Sequence, residues 1–190
     1  MAGPLDQLLH EQVVRALLED THLAHAAVEA NAYGQVDVVI VVPGLVLRWQ
    51  HGRVLPVDVV TAEKLERSAP SRTVSVEGVA PADMILDIGR RSIEHVCSVL
   101  ARAKTLVWNG PLGAFETEPF DIGTIEVAEA AAELSSAGDL VSVAGGGDTV
   151  SALHAAGAAE RFTYVSTAGG AFLEWLEGRR LPGVEILKVQ

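Results

Sequence analysis

The sequence has a single cysteine, Cys97, so no disulfide can form within the chain, and a reducing compartment suits it. It is also short of positive charge. Fourteen Lys and Arg residues stand against 25 Asp and Glu, a formal net charge of −11. A surface of that sign does not track a nucleic-acid backbone. It leaves room for one small anion site, because backbone N–H groups bind phosphate without side-chain charge. Aromatic residues are sparse, at 5%, and Trp49, Trp108 and Trp175 read as packing residues rather than stacking platforms. Long apolar runs are lacking as well. The most apolar stretch, "VDVVIVVPGLVL", is broken by Pro43 and Gly44 before it reaches the roughly 18 residues of a membrane span. The N-terminal "MAGPLDQLLHEQ" has neither a basic n-region nor an apolar signal core. The expectation is a cytoplasmic protein with no membrane or nucleic-acid partner.

Hydrophobic residues make up 49% of the 190, enough for a buried core in one domain. Residues 4–31 carry Leu5, Leu8, Leu9, Val13, Leu17 and Leu18 at helical spacing, which predicts amphipathic helix. His22 and His25 lie in this stretch without an acid or cysteine at ligand spacing and read as surface residues. "VDVVIVV" (36–42) reads as a strand covered on both faces. "RVLPVDVV" and "RTVSVEGV" predict two further strands, and "MILDIG" (84–89) a short buried one. From there the chain alternates. "RRSIEHVCSVLARA" predicts a helix that packs Cys97 into the core, and "KTLVWNG" a strand. "DIGTIEVAEAAAELSSAG" predicts a helix stopped at Gly138, and "DLVSVAGGG" a strand. "DTVSALHAAG" predicts a helix, "RFTYVSTAGG" a strand and loop, and "AFLEWLEG" a helix. Such alternation argues a doubly wound α/β domain with three αβα layers and a mainly parallel sheet over 36–190. A helical segment precedes it at 1–35.

Ligands of such sheets sit beyond the C-terminal strand ends. Three of those ends are glycine-rich here: "WNGPLG", "AGGGD" and "STAGGA". In "AGGGDT" the glycines let a ligand approach the backbone, and N–H groups at a helix start attract phosphate. From the residues alone, Asp148 is either the cap of that helix or a carboxylate for a divalent cation carried by phosphates. No Gly-Lys-Ser/Thr follows, so this is not a Walker loop. "VWNGPLGAFE" offers a turn at Asn109-Gly110-Pro111, then Phe115 and Glu116. A carboxylate there suits ribose hydroxyls, though read in isolation the stretch favours a plain loop.

In order along the chain, "LPVDVVTAEKL", "LDIGRRSIE", "KTLVWNGPLGAFE", "GTIEVAEA", "AGGGDT", "STAGGAFLEWLEG" and "LPGVEIL" resemble the C-terminal, nucleotide-binding half of phosphoglycerate kinases. The resemblance runs from about residue 53 to the end. It implies an Mg²⁺–ATP/ADP site. Glu116 would bind the ribose, with Asn109, Pro111 and Phe115 around the nucleotide. Gly146, Gly147, Asp148 and Thr149 would hold the phosphates, with Asp148 toward the metal. Gly169 and Gly170 would face the transferred phosphoryl group.

Departures from the family pattern are equally specific. Ile85 stands where the family has a pocket-lining glycine, Ala168 replaces the first glycine of Ser-Thr-Gly-Gly-Gly, and Arg90 replaces a proline. The family's Gly-Gly-Ala-Lys loop has no counterpart; its lysines fall near Asp6 and His10. The glycine-rich adenine-side strand end corresponds to "VVPGLVL" (41–47), and the long helical stretch before "LPVD" is reduced to "RWQHG". The family's N-terminal domain, with its basic site for 3-phosphoglycerate, is also without a counterpart. The resemblance therefore implies phosphoryl transfer only when a partner complements the chain, in a homodimer or a heteromer. The alternative is a degenerate binding or scaffold domain of the same fold.

Overall fold

The computed structural model describes residues 38–42, 45–48 and 52–168, with isolated positions 171, 180 and 182. The expected N-terminal helices at 4–31, the helix at 171–178, the tail, and His22, His25, Trp49 and Trp175 lie outside the described residues.

A six-stranded sheet holds the strands β1 (Val38–Val42), β2 (Leu45–Arg48), β3 (Gly52–Val54), β7 (Thr105–Asn109), β8 (Val141–Gly145) and β9 (Tyr164–Val165), in the order β3-β2-β1-β7-β8-β9. The first three form an antiparallel meander, and β1, β7, β8 and β9 run parallel. Pro43 and Gly44, which break the long apolar run, lie between β1 and β2 in the sequence, outside the described residues. Between β3 and β7 the chain makes a separate antiparallel sheet. It is formed by β4 (Asp58–Ala62), β5 (Arg72–Ser75) and β6 (Met84–Ile88), in the order β5-β4-β6.

The helices α1 (Arg90–Leu100), α2 (Ile122–Ala137) and α3 (Gly147–Ala155) connect the later strands. Each parallel step from β1 to β7, β8 and β9 moves the same way across the sheet, and right-handed crossovers then put α1, α2 and α3 on one side. α1 packs on α2, and α2 on α3. This is the doubly wound αβα class with a mainly parallel central sheet. No helix among the described residues is long and apolar enough to cross a membrane.

The core sits between that helical layer and the sheet. Leu106 and Trp108 of β7, Val127, Ala128, Ala131 and Ala132 of α2, and Leu100 and Leu153 are fully or nearly fully buried. The alanine stripe of α2 and the Trp108 ring belong to this one core. The indole also meets Phe162 at 6.1 Å between ring centroids, a tilted pair of the favoured kind. Trp108 is thus a packing residue, as its setting in the sequence implies. Cys97 is half-buried against this core, as expected.

Three expectations need correction. "RVLPVDVV" is two strands in different sheets, because Leu55-Pro56-Val57 separates β3 from β4 and Pro56 has no N–H for a ladder. "RTVSVEGV" is strand only to Ser75, and Val76–Gly78 is a 3₁₀ turn. "MILDIG" is buried only in its second half; Met84 and Ile85 are exposed. Opposite the step from Val60 to Thr61, β6 advances from Asp87 to Ile85, so Leu86 is a bulge without a partner on β4. The extra residue is why Leu86, Asp87 and Ile88 are consecutively buried instead of alternating.

Gly138 ends α2 as expected, at φ 79°, with its N–H bonded back to Ser135 O. An added Cβ would meet open space there. Gly138→Ala should therefore cost only the left-handed backbone penalty, about 1 kcal/mol, readable by urea denaturation.

Candidate functional site

Strands β7 and β8 end side by side, with Asn109 and Gly145 as register partners. The two glycine-rich loops that follow emerge as neighbours at the C-terminal edge of the parallel sheet, where α/β sheets place ligands.

Two buried hydrogen bonds tie the loops together. The Trp108 indole N–H donates to Gly110 O at 2.6 Å, turning the chain back at the strand end. Gly110 N–H then donates to Thr149 Oγ1 at 2.6 Å. Gly110 has φ 86°, which favours glycine at this turn. Thr149 is 1% exposed, so its hydroxyl oxygen serves the neighbouring loop.

At the start of α3 the cap is Gly146, at φ 95° and ψ 140°, a conformation open in practice only to glycine. The first helical bond runs from Val150 N–H to Gly146 O. The N–H groups of Gly147, Asp148 and Thr149 have no acceptor within the helix. An added Cβ at Gly147 would meet nothing within 4 Å, so the approach to this end is open. Asp148 is inside the first turn of α3 and exposed. The cap reading of Asp148 is thus corrected: the backbone of Gly146 makes the turn, and the Asp148 carboxylate faces solvent at the positive end of the helix.

The β7–α2 loop carries Pro111 and Phe115, both half-buried, and the exposed Glu116. It is anchored from below. Leu112 and Gly113 donate their N–H groups to Thr124 Oγ1 at 3.1 and 3.3 Å. Ala114 N–H donates to Leu86 O at 2.8 Å. Leu86, with no partner on β4, gives its carbonyl to this loop. Phe120 packs with Leu86 and Ala62 in a small core beneath.

Asp87 adjoins the same anchor. It is 2% exposed. Its Oδ1 accepts Ile88 N–H and its Oδ2 accepts Gly123 N–H, both at 2.8 Å. Burial pushes its carboxyl up to about 7 against the pull of those two donors, and the charges of Asp121 and Glu126 add to the rise. A Cβ at Gly113 or Gly123 would run into its carboxylate, so two glycines of "GPLGAFETEPFDIG" are there to make room for it.

Arg90, where the family has proline, pairs with Glu94 at 3.2 Å and bridges to Glu126 at 2.7 Å. It ties α1 to α2 on the surface. Ile85 is 44% exposed. Gly169 and Gly170 lie outside the described residues; before them, Ser166 is buried and accepts Ala168 N–H at 3.2 Å.

Of the residues expected at the site, Asn109 and the 146–149 turn are brought together directly, and Thr149 holds the second loop. Residue patterns missed Asp87, Thr124 and the Leu86 carbonyl. Asp87 had a usable signal, an acid inside an apolar strand, since such acids are seldom buried without a role. Leu86 had none, because a bulge follows from pairing. Among the described residues, no three His, Cys, Asp or Glu side chains cluster as a metal site. An exposed carboxylate beside free helix-end N–H groups suits a magnesium that arrives with phosphates, which asks for one or two carboxylates.

Comparison with known proteins agrees with this geometry. Residues 29–179 match the family model for phosphoglycerate kinase. Similar curated proteins include the phosphoglycerate kinases of Rhodopseudomonas palustris, 58% identical over 137 residues, and of Sphingopyxis alaskensis, 60% identical over 134. These cover 72% and 70% of this chain and 34% of each relative. The chain thus spans about a third of the length of the curated relatives it matches. Among solved structures, phosphoglycerate kinase from Coxiella burnetii superposes with a TM-score of 0.74 at 32% identity, covering 90% of this chain and 50% of that one. The Pyrococcus horikoshii enzyme gives 0.59 at 32% identity, over 70% of this chain and 32% of the other.

Proposed function

The chain belongs to the phosphoglycerate kinase family, and from that premise we propose that it retains part of an Mg–ADP or Mg–ATP site between the β7–α2 loop and the Gly146–Thr149 turn. Glu116 takes the ribose, Asn109, Pro111 and Phe115 flank the nucleotide, and the N–H groups from Gly147 onward take the phosphates. Magnesium, held by Asp148, neutralises phosphate charge when bound. Gly169 and Gly170 face the phosphoryl group in this reading. The nucleotide domain is residues 36–190, with 1–35 a helical appendage.

The carrying observation is the juxtaposition of two glycine-rich strand ends, locked by the Gly110–Thr149 bond, with open space before Gly147. Transfer to or from 3-phosphoglycerate needs the basic groups of a partner, in a homodimer or a heteromer, because phosphoryl transfer rests on positioning and positive charge.

Binding should be weak. The chain has no lysine before Lys64, and each charge-assisted hydrogen bond forgone costs about 1.5–3 kcal/mol. Two such losses move a micromolar site to roughly millimolar. Isothermal titration with MgADP and MgATP tests this. Ile85→Gly should tighten binding, and Asp148→Ala should remove its magnesium dependence. No heat and no thermal shift at millimolar nucleotide, unrestored by Ile85→Gly, would replace this reading with the degenerate scaffold. The exposed Ile85, where the family has glycine, is the observation that favours that scaffold.

A further inference from the structure

We propose that Asp87 is a positioning residue for the nucleotide loop: its carboxylate holds the segment 110–121, which carries Phe115 and Glu116, down onto the end of β6 and the start of α2. As a statement about nucleotide binding this rests on the reading above; as a statement about the loop it stands by itself.

Asp87 touches the loop at both ends. Its Oδ2 accepts the N–H of Gly123, the second residue of α2, where the loop ends. Its Oδ1 fills the space over Gly113, where the loop begins, so closely that a Cβ there would collide with it and with Phe120 O. Each carboxylate oxygen takes one backbone N–H, Gly123 or Ile88. Only the ionised group offers both oxygens as full acceptors.

Among the described residues, the other surroundings of Asp87 supply no countercharge. Its partner across the ladder on β4 is Val60. Asp58 on the same strand is engaged with Ser92. From α2 and its cap, the groups acting on it are the acids Glu126 and Asp121. Glu126 is itself paired with Arg90. A buried acid with two N–H donors and no cation titrates far above its ordinary range, here about 7. Acidification through that value protonates Asp87, removes one full acceptor and loosens the loop.

Hydrogen exchange read as protection factors from pH 5.5 to 8.5 tests the clamp without nucleotide. In the wild type, protection at Gly113, Ala114 and Gly123 should fall roughly tenfold as pH drops from 8 to 6, the worth of one hydrogen bond to a charged acceptor, while Leu106 in the core keeps its protection. Asp87→Asn, which has one acceptor oxygen, should stay at the acid-limb level throughout. Gly113→Ala, acting from the loop side, should lower the same amides. With MgADP, both variants should bind about tenfold more weakly, and the affinity of Asp87→Asn should lack the Asp87 contribution to the wild-type pH profile. Loop protection that ignores pH in the wild type overturns the proposal, whether or not the variants fold. So does equal loss of protection across the whole domain in Asp87→Asn. If the wild type takes up no MgADP, the nucleotide reading fails and the exchange data alone decide the role of Asp87.

Discussion

Asp58→Ala is expected to lower the stability of the domain by roughly 3 kcal/mol or more, the sum of a lost helix cap and lost bonds to a buried carboxylate. Asp58 is 5% exposed. Its Oδ1 accepts Ser92 N–H at 2.8 Å and the Ser92 hydroxyl at 2.7 Å, and its Oδ2 accepts Arg91 N–H at 3.2 Å. α1 begins at Gly89, which has no side chain, so strand β4 caps the helix across space. Ser92 Oγ in turn accepts the N–H groups of Val57 and Asp58 at 2.9 and 3.0 Å. Gly89 leaves room for the carboxylate, since a Cβ there would run into it. Burial alone would raise the Asp58 carboxyl, but the Ser92 and Arg91 donors outweigh it and hold it below its ordinary 3.8. A depressed carboxyl stabilises above its unfolded value and loses that contribution as pH falls through the folded one. The wild type should therefore lose this increment only below about pH 4, and the gap to Asp58→Ala should narrow there. Urea denaturation at pH 7 and pH 3 checks both. A difference under 1 kcal/mol at pH 7 would mean that water replaces the cap.

Thr149→Val should cost about 1–3 kcal/mol, because it leaves the buried Gly110 N–H without its acceptor while keeping the side-chain volume. Thr149→Ser should restore most of it. The same change should uncouple the two loops, so nucleotide affinity should fall about tenfold in the valine variant and recover in the serine one. Equal affinity in all three would make Thr149 a stability residue with no bearing on the site.

The glycine at the start of a helix and the apolar strand before it are local facts, so β7, β8, α2, α3 and the glycine-rich strand ends were legible in the residues. The boundaries that failed depended on partners. Leu55-Pro56-Val57 looks like the middle of a strand until β3 and β4 are seen in separate sheets. The role of Asp148 hinged on which residue turns the backbone, and only the φ of Gly146 decides that. Asp58, Asp87 and Thr124 act across 11 to 36 residues of chain, a distance at which no spacing pattern connects an acid to the N–H it accepts. The family resemblance supplied the surface of the candidate site; its supports were visible only in the fold.

The bulge at Leu86 has a consequence for redesign. A protein engineer who regularised β6 by deleting that residue would gain a complete antiparallel edge and, by ordinary criteria, a sounder sheet. The carbonyl that receives the Ala114 N–H would be lost with Leu86, while Asp87 kept its place opposite Val60. Glu116 would then sit on a loop short of one anchor. The irregular strand and the ordered loop are a single trait, and selection for sheet regularity would work against selection for the site.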